Sequence, residues 1–252
     1  FFMQYILGAI NRAKELGMDV ITVFFTMIQE MDVEEMTRYF QSQSIEGLIV
    51  CGLSKQDAVL HKLIKSEKFK VVLIDASGVG VHTSNIHIDN VRAQYDVAKK
   101  FIIENKAKKI LYISGKKNGY ASEERMQGMK LLAEELGLTL FTRIGNFSEL
   151  EARNITMRYV KRRDAIICAS DMMAIGAMKA LIDMDIYRPV CGFDGINLMG
   201  YAGKQMHTVR QDFKQLAAGA IDEMARLMDG HEGREVIMPH QLIRIKYEDV
   251  IM

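Results

Sequence analysis

The chain has 252 residues, enough for one large or two small α/β domains with a sizeable core. Lys and Arg number 33 against 32 Asp and Glu, a formal net charge of +1, which excludes a broad electrostatic grip on phosphate backbones or anionic membranes. The three cysteines, Cys51, Cys168 and Cys191, end apolar runs without CxxC spacing, which argues against a disulfide framework or zinc site and for a reducing cytoplasm.

The opening FFMQYILGAINRAKELG reads as an amphipathic helix, with Ile6, Ile10 and Ala13 on one face and Gly17 at its end, rather than as a signal peptide. A helix at this position implies that the strand preceding it in an α/β unit lies upstream of this sequence. No run approaches the roughly twenty apolar residues of a membrane span. Short β-branched runs follow: VITVFF, GLIVCG, KVVLIDA, KILYISG, LTLFTRIG, AIICAS and PVCGFD. Helical patterns separate nearly every pair, so the chain reads as α/β, with parallel sheets covered by helices on both faces. One such helix carries Met126, Met129, Ala133 and Leu136 at spacings of three and four, closed by Gly137. With two prolines and no low-complexity tract, two lobes would be joined by several chain crossings rather than by one tether.

In open parallel sheets ligands bind beyond the carboxyl ends of the strands. There the sequence places Asp75 after KVVLI, the loop 115–120 leading to Arg125 after ILYIS, Ser170 and Asp171 after AIICA, and Asp194 after PVCGF. Carboxylates accept pairs of hydrogen bonds from neighbouring hydroxyls and a guanidinium donates pairs, a mixture that suits a neutral polyol or sugar better than a phosphate. Structural readings stand beside these: Asp171 as a helix cap, Asp75 and Asp194 as turn residues, Arg125 as an exposed helix residue paired with Glu123 or Glu124. Asp89 with Asn90 reads first as a cap. No GxSxG, HExxH or Walker-type loop is present, and Gly78 with Gly80 lacks the third glycine of a dinucleotide fingerprint. The six histidines show no ligand-like spacing, His82 and His87 being the one pair to weigh as ligands, and the eighteen methionines read as deformable core packing. The expectation is therefore no enzyme, no cofactor and no metal.

Taken together, IEGLIVCG, VVLIDA, IHIDNVRA, the pair Arg125-x-x-Gly128, ASDMMAIGAMKAL and GFDG followed by TVRQDF resemble the ordered signature of the LacI/GalR family of transcription regulators over nearly the whole chain. The resemblance implies two similar lobes of the periplasmic-binding-protein type I kind, each a parallel sheet flanked by helices, joined by a three-strand hinge. Residues 1–88 with 212–238 would form the N-terminal lobe and 89–211 with 239–252 the C-terminal lobe. It also implies a homodimer that senses a small-molecule effector, a sugar or related metabolite, in the cleft between the lobes. Operator DNA would be reached only through an N-terminal helix-turn-helix outside this sequence. Carried over onto matching positions, Arg125 would clamp ligand hydroxyls and Asp75 and Asp194 would accept from them. Gln211 and Phe213 of TVRQDF would line the pocket, and Phe2 would add an aromatic wall. Ser170 stands where the family often has Asn, which weakens any guess at the sugar, and Phe213 keeps an alternative reading as core. A secreted sugar-binding protein of a transporter and an α/β enzyme acting on a sugar or nucleoside are the competing readings.

Overall fold

Most of the β-branched runs find ladder partners. The computed structural model describes residues 2–196 and 206–245, with Phe2 described by its backbone alone. In chain order the elements are α1 (Phe2–Glu15), α2 (Val33–Ser42), β1 (Gly47–Cys51), α3 (Ala58–Lys65), β2 (Lys70–Ile74), β3 (Thr83–Ile88), α4 (Asn90–Asn105), β4 (Lys109–Ser114) and α5 (Tyr120–Leu136). They continue with β5 (Thr139–Ile144), α6 (Glu149–Tyr159), β6 (Ala165–Cys168), α7 (Asp171–Asp183), β7 (Val190–Cys191), β8 (Met206–Arg210), α8 (Phe213–Met228), β9 (Glu235–Met238) and β10 (Gln241–Ile245). The chain divides into two compact units, Phe1–His87 with Asp212–Met238 and Ile88–Gln211 with Pro239–Met252.

The first unit holds a four-stranded sheet in the order β1-β2-β3-β9. β1, β2 and β3 run parallel, Gly47 facing Lys70 and Val71 facing Thr83. Val71, Val72, Leu73 and Ile74 are all buried, as a strand covered on both faces requires. The VITVFF run departs from expectation, forming no strand: residues 20–24 carry no regular structure and Phe25–Met27 make a short 3-10 turn. A strand needs a ladder partner, and among the described residues no other segment pairs with this run, so Val20, Ile21, Phe24 and Phe25 are left exposed. The polar TSNIHI, by contrast, forms the fully buried strand β3.

The second unit holds a six-stranded sheet in the order β10-β8-β7-β6-β4-β5, parallel except for β10, which pairs antiparallel with β8. PVCGFD contributes only the two residues of β7. Its core is Ile110, Leu111, Tyr112 and Ile113 of β4 beside Ile166, Ile167 and Cys168 of β6, each fully enclosed. Burying side chains of this size stabilises by about 1.5–3 kcal/mol each. α5 ends where Gly137 turns left-handed (φ +59), as its position after the last apolar residue predicts. Within α5, Gly128 lets the helix approach α4 so closely that a Cβ there would overlap the Val91 carbonyl oxygen.

Strand order reverses in this sheet between β4, whose sequel β5 lies on one side, and β6, which lies on the other. Such a switch point opens a crevice at the carboxyl ends of the strands, because the connections there leave in opposite directions. The carboxyl ends of β4 and β6 flank that point, with β7 beside β6.

Candidate functional site

Arg125 leaves the first turns of α5 and points into the protein, not into solvent: it is 4% exposed. Its Nε donates to Asn90 Oδ1 (2.9 Å), and its Nη1 donates to the carbonyl of Ala169 (2.6 Å) and to Asp194 Oδ1 (3.4 Å). The guanidinium carbon lies 3.7 Å from the centre of the Phe193 ring. The reading of Arg125 as an exposed helix residue paired with Glu123 or Glu124 is therefore overturned. Glu124 instead accepts from Asn90 Nδ2 (3.1 Å), which orients the amide that receives Arg125.

Asp194 follows β7 with φ +117, a conformation that costs an L-residue about 1–3 kcal/mol. The backbone holds it there: Asp194 N donates to the Val209 carbonyl (2.9 Å) and Gln211 N donates to the Asp194 carbonyl (3.2 Å). Gln211 Nε2 also donates to Asp194 Oδ1 (3.0 Å), so one carboxylate oxygen receives both an amide and a guanidinium. Gln211 Oε1 is buried without a hydrogen-bond partner among the described residues. Three expected site residues, Arg125, Asp194 and Gln211, are brought together in this way.

Ser170 and Asp171 lie deeper. Ser170 is the N-cap of α7, its hydroxyl accepting from Met173 N (3.3 Å). Asp171 is fully buried; Oδ1 accepts from the Thr208 hydroxyl (2.7 Å) and Oδ2 from Ile196 N (2.9 Å). Burial, and then the charge of Asp194, push its carboxyl well above the usual 3.8. The bond from Ile196 N pins the segment that follows Asp194.

Asp75 and Phe213 belong to the other unit. Asp75 follows β2 in a left-handed conformation (φ +54). Phe213 is 4% exposed and packs its ring on Tyr5, with centroids 5.1 Å apart. The side chain of Phe2 lies outside the described residues. Asp89 caps α4, its Oδ1 accepting from Arg92 N (2.8 Å). His82 and His87 have separate partners, Lys70 Nζ and Glu235 Oε1, and no group among the described residues is arranged to hold a metal ion. All three cysteines are free thiols.

Asn90 and Phe193 complete the cluster around Arg125, and neither stands out in the sequence. Asn90 reads as part of the cap beside it, and Phe193 as the last apolar residue of a strand. The signal that could have found them is adjacency: each sits next to a strand-end Asp.

A parallel sheet with a buried guanidinium, amide and carboxylate gathered at its switch point defines a binding fold. The chain belongs to the periplasmic binding protein domain family, whose profile matches residues 1–232. A relative, the HTH-type transcriptional repressor PurR of Aliivibrio salmonicida, is 24% identical over 95% of this chain and 75% of its own length. The HTH-type transcriptional regulator MalR of Clostridium butyricum is 27% identical over 84% of this chain and 67% of its own. Among solved structures, the transcription regulator CcpA of Lactococcus lactis superposes with a TM-score of 0.84 at 21% identity, covering 96% of this chain and 92% of that one. The complex of the regulator CelR with cellobiose gives 0.83 at 19% identity, covering 96% and 78%. These relatives are transcriptional regulators, not enzymes, in keeping with the LacI/GalR resemblance of the motifs. No helix among the described residues is long and apolar enough to cross a membrane.

Proposed function

We propose that this chain is the effector-sensing and dimerisation core of a cytoplasmic transcriptional regulator whose ligand is a neutral sugar or a related polyol. The observation that carries the proposal is the convergence of Arg125, Asn90 and Gln211 on or beside Asp194 at the switch point of the second unit. A guanidinium and a carboxylate with fixed orientations recognise vicinal hydroxyls through paired hydrogen bonds. They leave no excess positive charge for a phosphate. The CelR relative solved with cellobiose and the relatives named as HTH-type regulators support the same reading. Asp75, Phe213, Ser170 and Phe2 are proposed as further contributors to ligand binding. Asp171, with no exposed surface, holds the Asp194 segment in place.

Control of transcription then requires the ligand to bind two conformational states unequally, which shifts their populations. Operator contact falls to a helix-turn-helix outside residues 1–252. The test is a thermal-shift screen of the chain against monosaccharides, disaccharides, sugar phosphates and purines, followed by calorimetry on any hit. A neutral sugar that binds without turnover, and whose affinity falls tenfold or more in Asp194→Asn, is the expected result. Binding confined to purines or phosphates, or silence across the panel, overturns the sugar assignment.

A further inference from the structure

Away from the strand-end cluster, positive charge concentrates at one place in the second unit. Residues 158–163, RYVKRR, put four cations into six positions of a chain whose net charge is only +1. Arg158, Lys161, Arg162 and Arg163 occupy the end of α6 and the 3-10 turn after it, and Arg143 of the edge strand β5 joins them. Phe141 lies between two guanidiniums, Arg143 at 4.0 Å and Arg163 at 4.3 Å from its ring centre, and Arg143 also lies 4.6 Å from that of Tyr159. The guanidiniums of Arg143 and Arg158 hold the Tyr159 phenol below its usual 10.

Neighbouring cations on α6 and α7 are treated differently. Arg153 pairs with Asp183 (2.6 Å) and Lys179 with Glu149 (2.5 Å). Among the described residues Arg143, Arg158, Lys161, Arg162 and Arg163 have no carboxylate within ion-pair distance, and Arg163 Nε is buried without an acceptor. The nearby Asp164 is engaged by the backbone N–H groups of Lys108 and Lys109. Beside the cluster the last turns of α6 present Asn154, Ile155, Met157, Arg158 and Tyr159 on one open face, with Met157 exposed.

We propose that this face is a docking site for an acidic segment of another protein, its carboxylates on the Arg143, Arg158 and Arg162 guanidiniums and an apolar side chain against the exposed Met157. Stacking on Phe141 and Tyr159 fixes the plane of the Arg143 guanidinium, so its in-plane N–H groups are presented to a carboxylate with little further ordering, and the exposed Arg158 and Arg162 stand beside it. A peptide fits better than a single-stranded nucleic acid, because arginines already lie over the Phe141 ring and over one face of Tyr159, where bases would otherwise stack. The surface belongs to residues distinct from the candidate ligand site and does not depend on that reading.

The test is fluorescence anisotropy of the whole chain with a labelled twelve-residue glutamate peptide carrying one central leucine, read at low and at moderate salt. The parent should bind, and affinity should fall as salt rises. Arg158→Glu combined with Arg162→Glu, both exposed positions, should weaken binding at least tenfold while the melting temperature holds. Lys62→Glu combined with Lys65→Glu, exposed on α3 of the other unit, makes the same charge change and should weaken it less than twofold. Absence of binding by the parent, an equal loss in the α3 variant, or tighter binding of a labelled oligothymidylate than of the peptide would each overturn the proposal.

Discussion

Each unit buries a carboxylate, and the two are stabilised in opposite ways. In the first, Glu223 of α8 receives the Ser84 hydroxyl (3.1 Å), Arg226 Nε (3.1 Å) and both Nε and Nη2 of Arg234 (3.0 and 2.5 Å). Burial alone would push its carboxyl up, but the two guanidiniums outweigh that and hold it below the usual 4.5. In the second, Asp171 receives a hydroxyl and backbone amides but no cation, and its carboxyl is pushed up. The cation that neutralises carboxylate charge in that region, Arg125, is directed to Asp194. A buried acid with cations of its own clasps secondary structure. One without them marks a place where the cation serves something else, here Asp194 at the end of β7.

The sharpest way to break this contrast is to remove that cation. Arg125→Ala leaves Asn90 Oδ1 and the Ala169 carbonyl without the guanidinium inside the protein, and Asp194 Oδ1 with the Gln211 amide but no cation. It should therefore destabilise the chain by about 3–5 kcal/mol, read by urea denaturation. A loss under about 1 kcal/mol would mean that the guanidinium is not part of the core. Next in size, Glu223→Gln should cost about 2 kcal/mol near neutral pH, moderated because Arg234 is more than half exposed. A lowered folded value means that the stabilisation is present above 4.5 and lost as pH falls through the folded value. The gap between parent and variant should close on acidification.

Asp171→Asn tests the other side with the opposite sign. A raised folded value means that the parent loses stability as pH climbs from 3.8 towards that value, and asparagine removes the decline. The amide can accept from Ile196 N and donate to the Thr208 hydroxyl, so the variant should lie within about 1 kcal/mol of the parent at pH 4 and gain on it at higher pH. A constant difference across the range would show that Asp171 is not held in its neutral form.

What the sequence discloses follows the same division. Apolar runs that become strands buried on both faces, such as KVVLI and AIICA, are legible because such burial demands continuous β-branched or aliphatic residues. Strand β3 is not, because Thr83, Ser84 and Asn85 are polar residues made buriable by partners outside the strand: Ser84 bonds Glu223 and Asn85 Nδ2 donates to the Ala76 carbonyl. VITVFF fails for the complementary reason, a strand composition with no partner to pair with among the described residues. Strand-end position makes Arg125 and Asp194 visible as candidates. That Arg125 is buried, and that Asn90 and Phe193 hold it, depends on contacts 35 and 68 residues apart along the chain that no local pattern encodes.

The smallest effect compares the helices that begin where the chain passes from one unit to the other. α4 opens the second unit behind Asp89 and α8 re-enters the first behind Asp212. The two caps share a backbone conformation, φ −70 and ψ 86 against φ −87 and ψ 89. They also share a bond to the amide three residues on, at 2.8 and 2.9 Å. Neither carboxylate is buried like Glu223 or Asp171, so each contributes through its hydrogen bond and the helix dipole alone. Asp89→Ala and Asp212→Ala should each cost about 1 kcal/mol, with the double variant costing the sum, because the two bonds share no residue. Chemical denaturation of the four proteins measures this. A double loss well above the sum would mean that the two crossings are energetically coupled, and the units could then no longer be treated as separately capped bodies.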